Sequence, residues 1–96
     1  MDFPRDKIAD FCRRHHIRKL SLFGSVLRDD FRPDSDIDVL VEFEPGQTIG
    51  LDIFDLEMEL SQLLGGHPID LVNAKYMNHR LRSRILAEAQ VQYAER

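Results

Sequence analysis

The sequence predicts an α+β fold of two layers, a small mixed β-sheet with helices packed on one face, and three observations carry that prediction. Short apolar segments of strand composition alternate with longer ones whose apolar residues recur every three or four positions. Glycine and proline punctuate the boundaries, at Pro4, Gly24, Pro45-Gly46, Gly65-Gly66 and Pro68. Ninety-six residues with 43% apolar content suit one domain over residues 1–96, with a modest core.

The expected order is α-β-α-β-α-β-α. Residues 6–16 follow Pro4 and carry Ile8, Phe11, Cys12 and His15 at helical spacing. Residues 18–23 alternate apolar and polar side chains up to Gly24, as a short strand does before a turn. Gly24-Ser25 then opens a helical turn through Arg28. Residues 36–43, Asp-Ile-Asp-Val-Leu-Val-Glu-Phe, are rich in β-branched side chains and closed by Pro45-Gly46, the clearest strand of the chain. Within residues 49–64, Ile49, Ile53, Leu56, Leu60, Leu63 and Leu64 mark the longest helix, stopped by Gly65-Gly66. Residues 67–72 form a third strand. Residues 78–88 form a last helix expected to bury Leu81, Ile85 and Ala89, with Val91 and Tyr93 either continuing it or making a terminal strand. The second face of the sheet is expected to stay open.

No apolar run approaches the roughly 20 residues that span a bilayer, and the N-terminus lacks the basic-then-apolar order of a secretory signal. The single cysteine, Cys12, cannot make an internal disulfide, so a reducing cytoplasm is the expected setting and burial its expected role. The net charge is −4, and the bases around Arg13, Arg14, Arg18 and Lys19 and around Arg80, Arg82 and Arg84 have no interleaved aromatics. Direct nucleic-acid binding is therefore not expected. The acids are concentrated: residues 29–44 hold seven (Asp29, Asp30, Asp34, Asp36, Asp38, Glu42, Glu44) against one base, Arg32. Carboxylates so crowded repel, and a solvated loop or bound cations are the usual reasons to tolerate them.

Strand alternation puts Asp36 and Asp38 on one face and Ile37, Val39 and Val41 on the other. Two carboxylates at i and i+2 suit a hard divalent cation. In the third strand the same alternation turns Asp70 away from Ile69 and Leu71, so Asp70 completes a triad if the two strands are neighbours. Three carboxylates around a pair of divalent ions make the two-metal arrangement of phosphoryl and nucleotidyl transfer. At Gly24 the backbone is able to approach a substrate closely, and the N–H groups of the turn and the Ser25 hydroxyl suit phosphate. Arg28 faces either the triphosphate or a neighbouring aspartate.

Gly24-Ser25, ten intervening residues and Asp36-Ile37-Asp38 resemble the G-S-x10-D-x-D signature of the DNA polymerase beta-like nucleotidyltransferase superfamily, in particular its minimal nucleotidyltransferases. Nearly the whole chain fits the resemblance, Asp70 included. It implies a polymerase beta palm-like fold, ATP held by Gly24 and Ser25, two Mg2+ ions on Asp36 and Asp38, and Asp70 as the third acid, which activates the acceptor hydroxyl. Minimal members are similar to antitoxins of two-gene systems whose toxin is a helical HEPN ribonuclease, and act by adenylylating a toxin tyrosine. The resemblance therefore implies a HEPN-type toxin as partner. A competing reading from another class is a binding module that blocks its partner by steric cover.

Several of these motifs also admit plainer roles. A calcium loop running from Asp34 needs glycine sixth and glutamate twelfth, where Val39 and Pro45 stand. His15 and His16 point about 100° apart on a helix and read as a packed helix end rather than metal ligands. His67 ahead of Pro68 reads as a strand-entry residue. Arg80, Arg82 and Arg84 read as a solvated helix face. Tyr76 and Tyr93 carry no specific signal.

Overall fold

The computed structural model describes residues 3–27, 32, 35–46 and 53–95. Helix α1 (Arg5–Arg14) begins after Pro4, whose carbonyl accepts the Ile8 N–H at 2.9 Å. Strand β1 (Ile17–Phe23) runs directly into a 3-10 turn (Gly24–Leu27), and β2 (Ile37–Phe43) returns antiparallel to β1. Helix α2 (Ile53–Leu63) then crosses to β3 (Ile69–Asn73), which pairs parallel with β2. A parallel pair needs such a crossover, because a tight turn only reverses the chain. Residues 49–52, the expected first turn of α2, lie outside the described residues. The helix ends as its sequence requires: Gly65 and Gly66 adopt φ +86° and +89°, and the Gly66 N–H donates to the Ser61 carbonyl at 2.8 Å.

After β3 a short 3-10 turn (Ala74–Tyr76) leads to helix α3 (His79–Glu88), capped by the Asn78 side chain, which accepts the Arg80 N–H at 2.8 Å. The last segment is a strand, β4 (Gln90–Ala94), antiparallel to β1, which settles the two possibilities left for Val91 and Tyr93. The sheet is mixed, in the order β3-β2-β1-β4.

Helices α1 and α2 pack on one face. Ile8, Phe11 and Cys12 from α1 and Leu56, Leu60 and Leu64 from the α2 region meet Ile17, Leu20, Leu22, Ile37, Val39, Val41 and Leu71 from the strands. The expectation for α3 is corrected: Leu81 is 49% exposed, and none of the helix is buried. The reason is topological. Helix α3 connects β3 at one edge of the sheet to β4 at the other, so it bridges the strands instead of joining the core. Its Arg82 reaches the face away from α1 and α2, where Nη2 donates to Glu42 Oε1 at 3.2 Å. The expectation that this second face stays open is also corrected in its middle, where the cross-strand partners Ser21 and Leu40 are each only 1% exposed.

Candidate active site

The three acids stand where two strands begin. Asp36 is the residue just before β2, and Ile37 is tied to the incoming β3 segment by its N–H, which donates to the Pro68 carbonyl at 2.8 Å. Parallel pairing then sets Ile37 against Ile69 and Asp38 against Asp70. Register partners share a face, so once Ile37 and Val39 enter the core, Asp38 and Asp70 emerge side by side on the opposite face. Asp36, just outside β2, is exposed, as is Asp70, while Asp38 is half-buried.

The Gly24 turn closes over Asp38. Phe23 is the register partner of Asp38, so the residue after it lies beside that carboxylate. Gly24 has φ +76°, and a Cβ added there would overlap Asp38 Oδ2. Only glycine satisfies both the left-handed backbone and the close approach. The 3-10 turn of residues 24–27 therefore starts next to the acid. Arg28 lies outside the described residues, as does Asp34.

Among the described residues, no three His, Cys, Asp or Glu side chains converge as a ready-made metal cluster. The donor set nevertheless fits Mg2+, a hard ion usually held by one or two carboxylates together with substrate phosphates rather than by an all-protein cage. Asp38 and Asp70, in register beside the Gly24 turn, would supply that kind of half-site.

Sequence reasoning missed the residues that hold the two acidic segments together. His67 Nδ1 faces the Ser35 carbonyl at 3.3 Å, next to Asp36, and the Ser61 hydroxyl donates to the His67 carbonyl at 2.6 Å. Glu57 of α2 accepts the Leu71 N–H at 2.9 Å, next to Asp70. None belongs to a spacing pattern, and only the fold brings them together. Arg82, read as solvated, is instead paired with Glu42, and its Nε is buried without a hydrogen-bond partner among the described residues. His15 and His16 are helix-end residues as expected: His15 Nε2 pairs with Glu59 at 3.0 Å, and His16 Nδ1 lies 3.3 Å from Glu44. A cavity of about 470 Å3, lined by Glu42, Glu44, Lys75, Tyr76 and Arg82 among others, sits at the far end of β2. Its nearest lining residue on the strand, Glu42, is four residues, roughly 13 Å, along β2 from Asp38.

The family profile described as polymerase beta, nucleotidyltransferase, matches residues 6–95. A protein of Methanocaldococcus jannaschii, provisionally named a protein adenylyltransferase, is 37% identical over 83 residues, covering 86% of this chain and 87% of its own. The protein adenylyltransferase MntA of Thermococcus cleftensis is 35% identical, covering 78% and 74%. A solved structure provisionally described as a minimal nucleotidyltransferase superposes with a TM-score of 0.74 at 41% identity, over 90% of this chain and 86% of that one. A solved toxin-antitoxin complex with AMP-PNP shares the fold alone, at a TM-score of 0.77 and 19% identity, over 98% and 76%. The chain belongs to the polymerase beta nucleotidyltransferase family.

Proposed function

We propose that this chain is a Mg2+-dependent protein adenylyltransferase that moves AMP from ATP to a hydroxyl of a partner protein, and that it serves as the antitoxin of a HEPN toxin. The observation that carries the reading is the register of Asp38 with Asp70 beside a glycine that admits no side chain. Relatives above 30% identity that bear the name protein adenylyltransferase support the choice of a protein acceptor. Toxin-antitoxin assemblies among solved structures of this fold, one of them a HEPN toxin carrying three AMP groups in complex with its antitoxin, suggest the class of partner. No helix among the described residues is long and apolar enough to cross a membrane. A cytoplasmic setting belongs to the same proposal, and the lone Cys12, which cannot make an internal disulfide, is compatible with it.

In this reading Gly24 and Ser25 seat the triphosphate through backbone N–H groups and the Ser25 hydroxyl, and Arg28 adds its charge to the phosphates. Asp36, Asp38 and Asp70 hold the divalent ions. Bound Mg2+ neutralises charge on the phosphates and favours departure of pyrophosphate. Asp70 takes the proton of the acceptor hydroxyl. That oxygen attacks the α-phosphorus, the new O–Pα bond forms, the bond from Pα to the bridging oxygen breaks, and the electron pair leaves with pyrophosphate. Most of the acceleration then comes from positioning and electrostatics rather than from a covalent enzyme intermediate.

The test is intact-mass spectrometry, with peptide mapping, of a candidate HEPN partner protein after incubation with the chain, ATP and Mg2+. The reading expects whole AMP increments located on a tyrosine, absent with Asp36→Asn or Asp38→Asn. Neutralisation of the toxin that persists with both variants and without any mass change would favour steric cover instead.

A further inference from the structure

Exposed apolar side chains gather on one side of α2, where Phe54 is 69% exposed and Met58, one helical turn on, is 64% exposed. Beside them a shallow groove of about 330 Å3 runs between α2 and β3, lined by Phe54, Glu57, Met58, Pro68 and Ile69 among others. We propose that this groove is the docking surface for the acceptor protein, which seats an amphipathic helix there with its apolar side chains inward and lysine or arginine at the flanks. The proposal rests on the transfer reading for the identity of the acceptor, but the surface has its own support.

The first support is position. Strand β3 is an edge of the sheet, and among the described residues no strand pairs with its outer side. Ile69 lines the groove on the helix face, and Asp70, the next residue, emerges on the other. A chain seated in the groove thus lies across the sheet from Asp70, on the order of 10 Å away. A segment that follows the docked helix has only to round that edge to bring a hydroxyl to the acid.

The second support is the chemistry of the edge. An exposed edge strand ordinarily invites an added strand through its free N–H groups. Here the Leu71 N–H is already taken by Glu57, so strand addition at that position must first break a 2.9 Å hydrogen bond. The groove instead offers side-chain contact, which suits a helix laid into it by apolar anchors.

The third support is charge. Glu57 is the charged side chain of the lining, and no base lines the groove among the described residues. An acidic partner surface is repelled there, and a basic-flanked apolar one is drawn in.

The experiment compares the full chain with the double variant Phe54→Glu/Met58→Glu. Both positions are exposed, so the fold should persist, as circular dichroism and melting will show; Phe54→Ala serves as a milder second variant. Calorimetry reads affinity for the HEPN partner, and separate titrations read affinity for Mg-ATP. The proposal expects at least tenfold weaker partner binding, a matching rise in KM for the partner and unchanged Mg-ATP affinity, with Phe54→Ala about threefold weaker. Asp70→Asn is expected to bind the partner normally while failing to transfer. Partner affinity within twofold of the native value in both groove variants overturns the proposal. So does a native dimer that the double variant dissociates without any loss of partner binding, since the groove would then hold a second copy. A native chain that binds the partner without labelling it defeats the transfer reading alone, and the docking surface is still decided by the binding data.

Discussion

Gly24 is the residue on which the site depends most sharply. Gly24→Ala forces a Cβ onto the Asp38 carboxylate and strains a backbone at φ +76°. The strain costs about 1–2 kcal/mol of stability, and displacement of the acid by even an ångström costs on the order of 100-fold in rate. Steady-state kinetics together with a thermal melt should show kcat/KM falling by about that factor while the protein remains folded. Cys12 behaves in the opposite manner. Burial pushes its thiol up to about 12, with the neighbouring Arg13 charge opposing that rise. The thiol should therefore resist alkylation at pH 8 in the folded chain and react promptly in urea, as followed by mass. Both residues were legible from position, a glycine at the end of a strand and a cysteine on an apolar helix face. The close packing of Gly24 against Asp38 was not legible, because it depends on the β1–β2 register.

At the scale of elements, α1 and α2 are braced by Arg14 and His15, both of which pair with Glu59. Burial raises the Glu59 carboxyl, but hydrogen bonds from Arg14 and His15 together outweigh it, and the net shift is downward from 4.5. A carboxyl whose pKa is lower in the folded state contributes stability above its unfolded pKa and loses it as pH falls through the folded value. Because the pair is largely solvated, screening keeps its contribution small. Glu59→Gln should accordingly lower Tm by no more than a few degrees at pH 7, with the gap to the native chain closing below pH 4.5. Leu60, fully buried between α2 and the sheet, is a heavier loss: Leu60→Ala should cost about 2–5 kcal/mol in denaturant titration. Helix α2 and strand β2 were readable from spacing and β-branched content, respectively. The environment of α3 was not, since its apolar spacing resembles that of a core helix and only the connection from β3 to β4 shows that it bridges the sheet.

Taken as a whole, the chain places two acids by a motif and a third by topology. Asp36 and Asp38 were visible as a pair in the sequence, whereas Asp70 was conditional on β3 lying next to β2. That neighbourhood is set by the α2 crossover and the Ile37 to Pro68 hydrogen bond, neither of which a linear pattern displays. His67, Ser61 and Glu57, which tie the acidic segments to each other and to α2, follow from the same crossover. The molecule thus commits its sheet edge to presenting Asp38 and Asp70 beside the Gly24 turn. The most direct trial of that arrangement as a nucleotidyl-transfer centre uses ATP labelled at either the α- or the γ-phosphorus, incubated with Mg2+, the chain and its HEPN partner. The account predicts that α-label alone passes to the partner, and that Asp38→Asn or Asp70→Asn abolishes the transfer. Label arriving from the γ-position, or α-label transferred equally well by either variant, would contradict it.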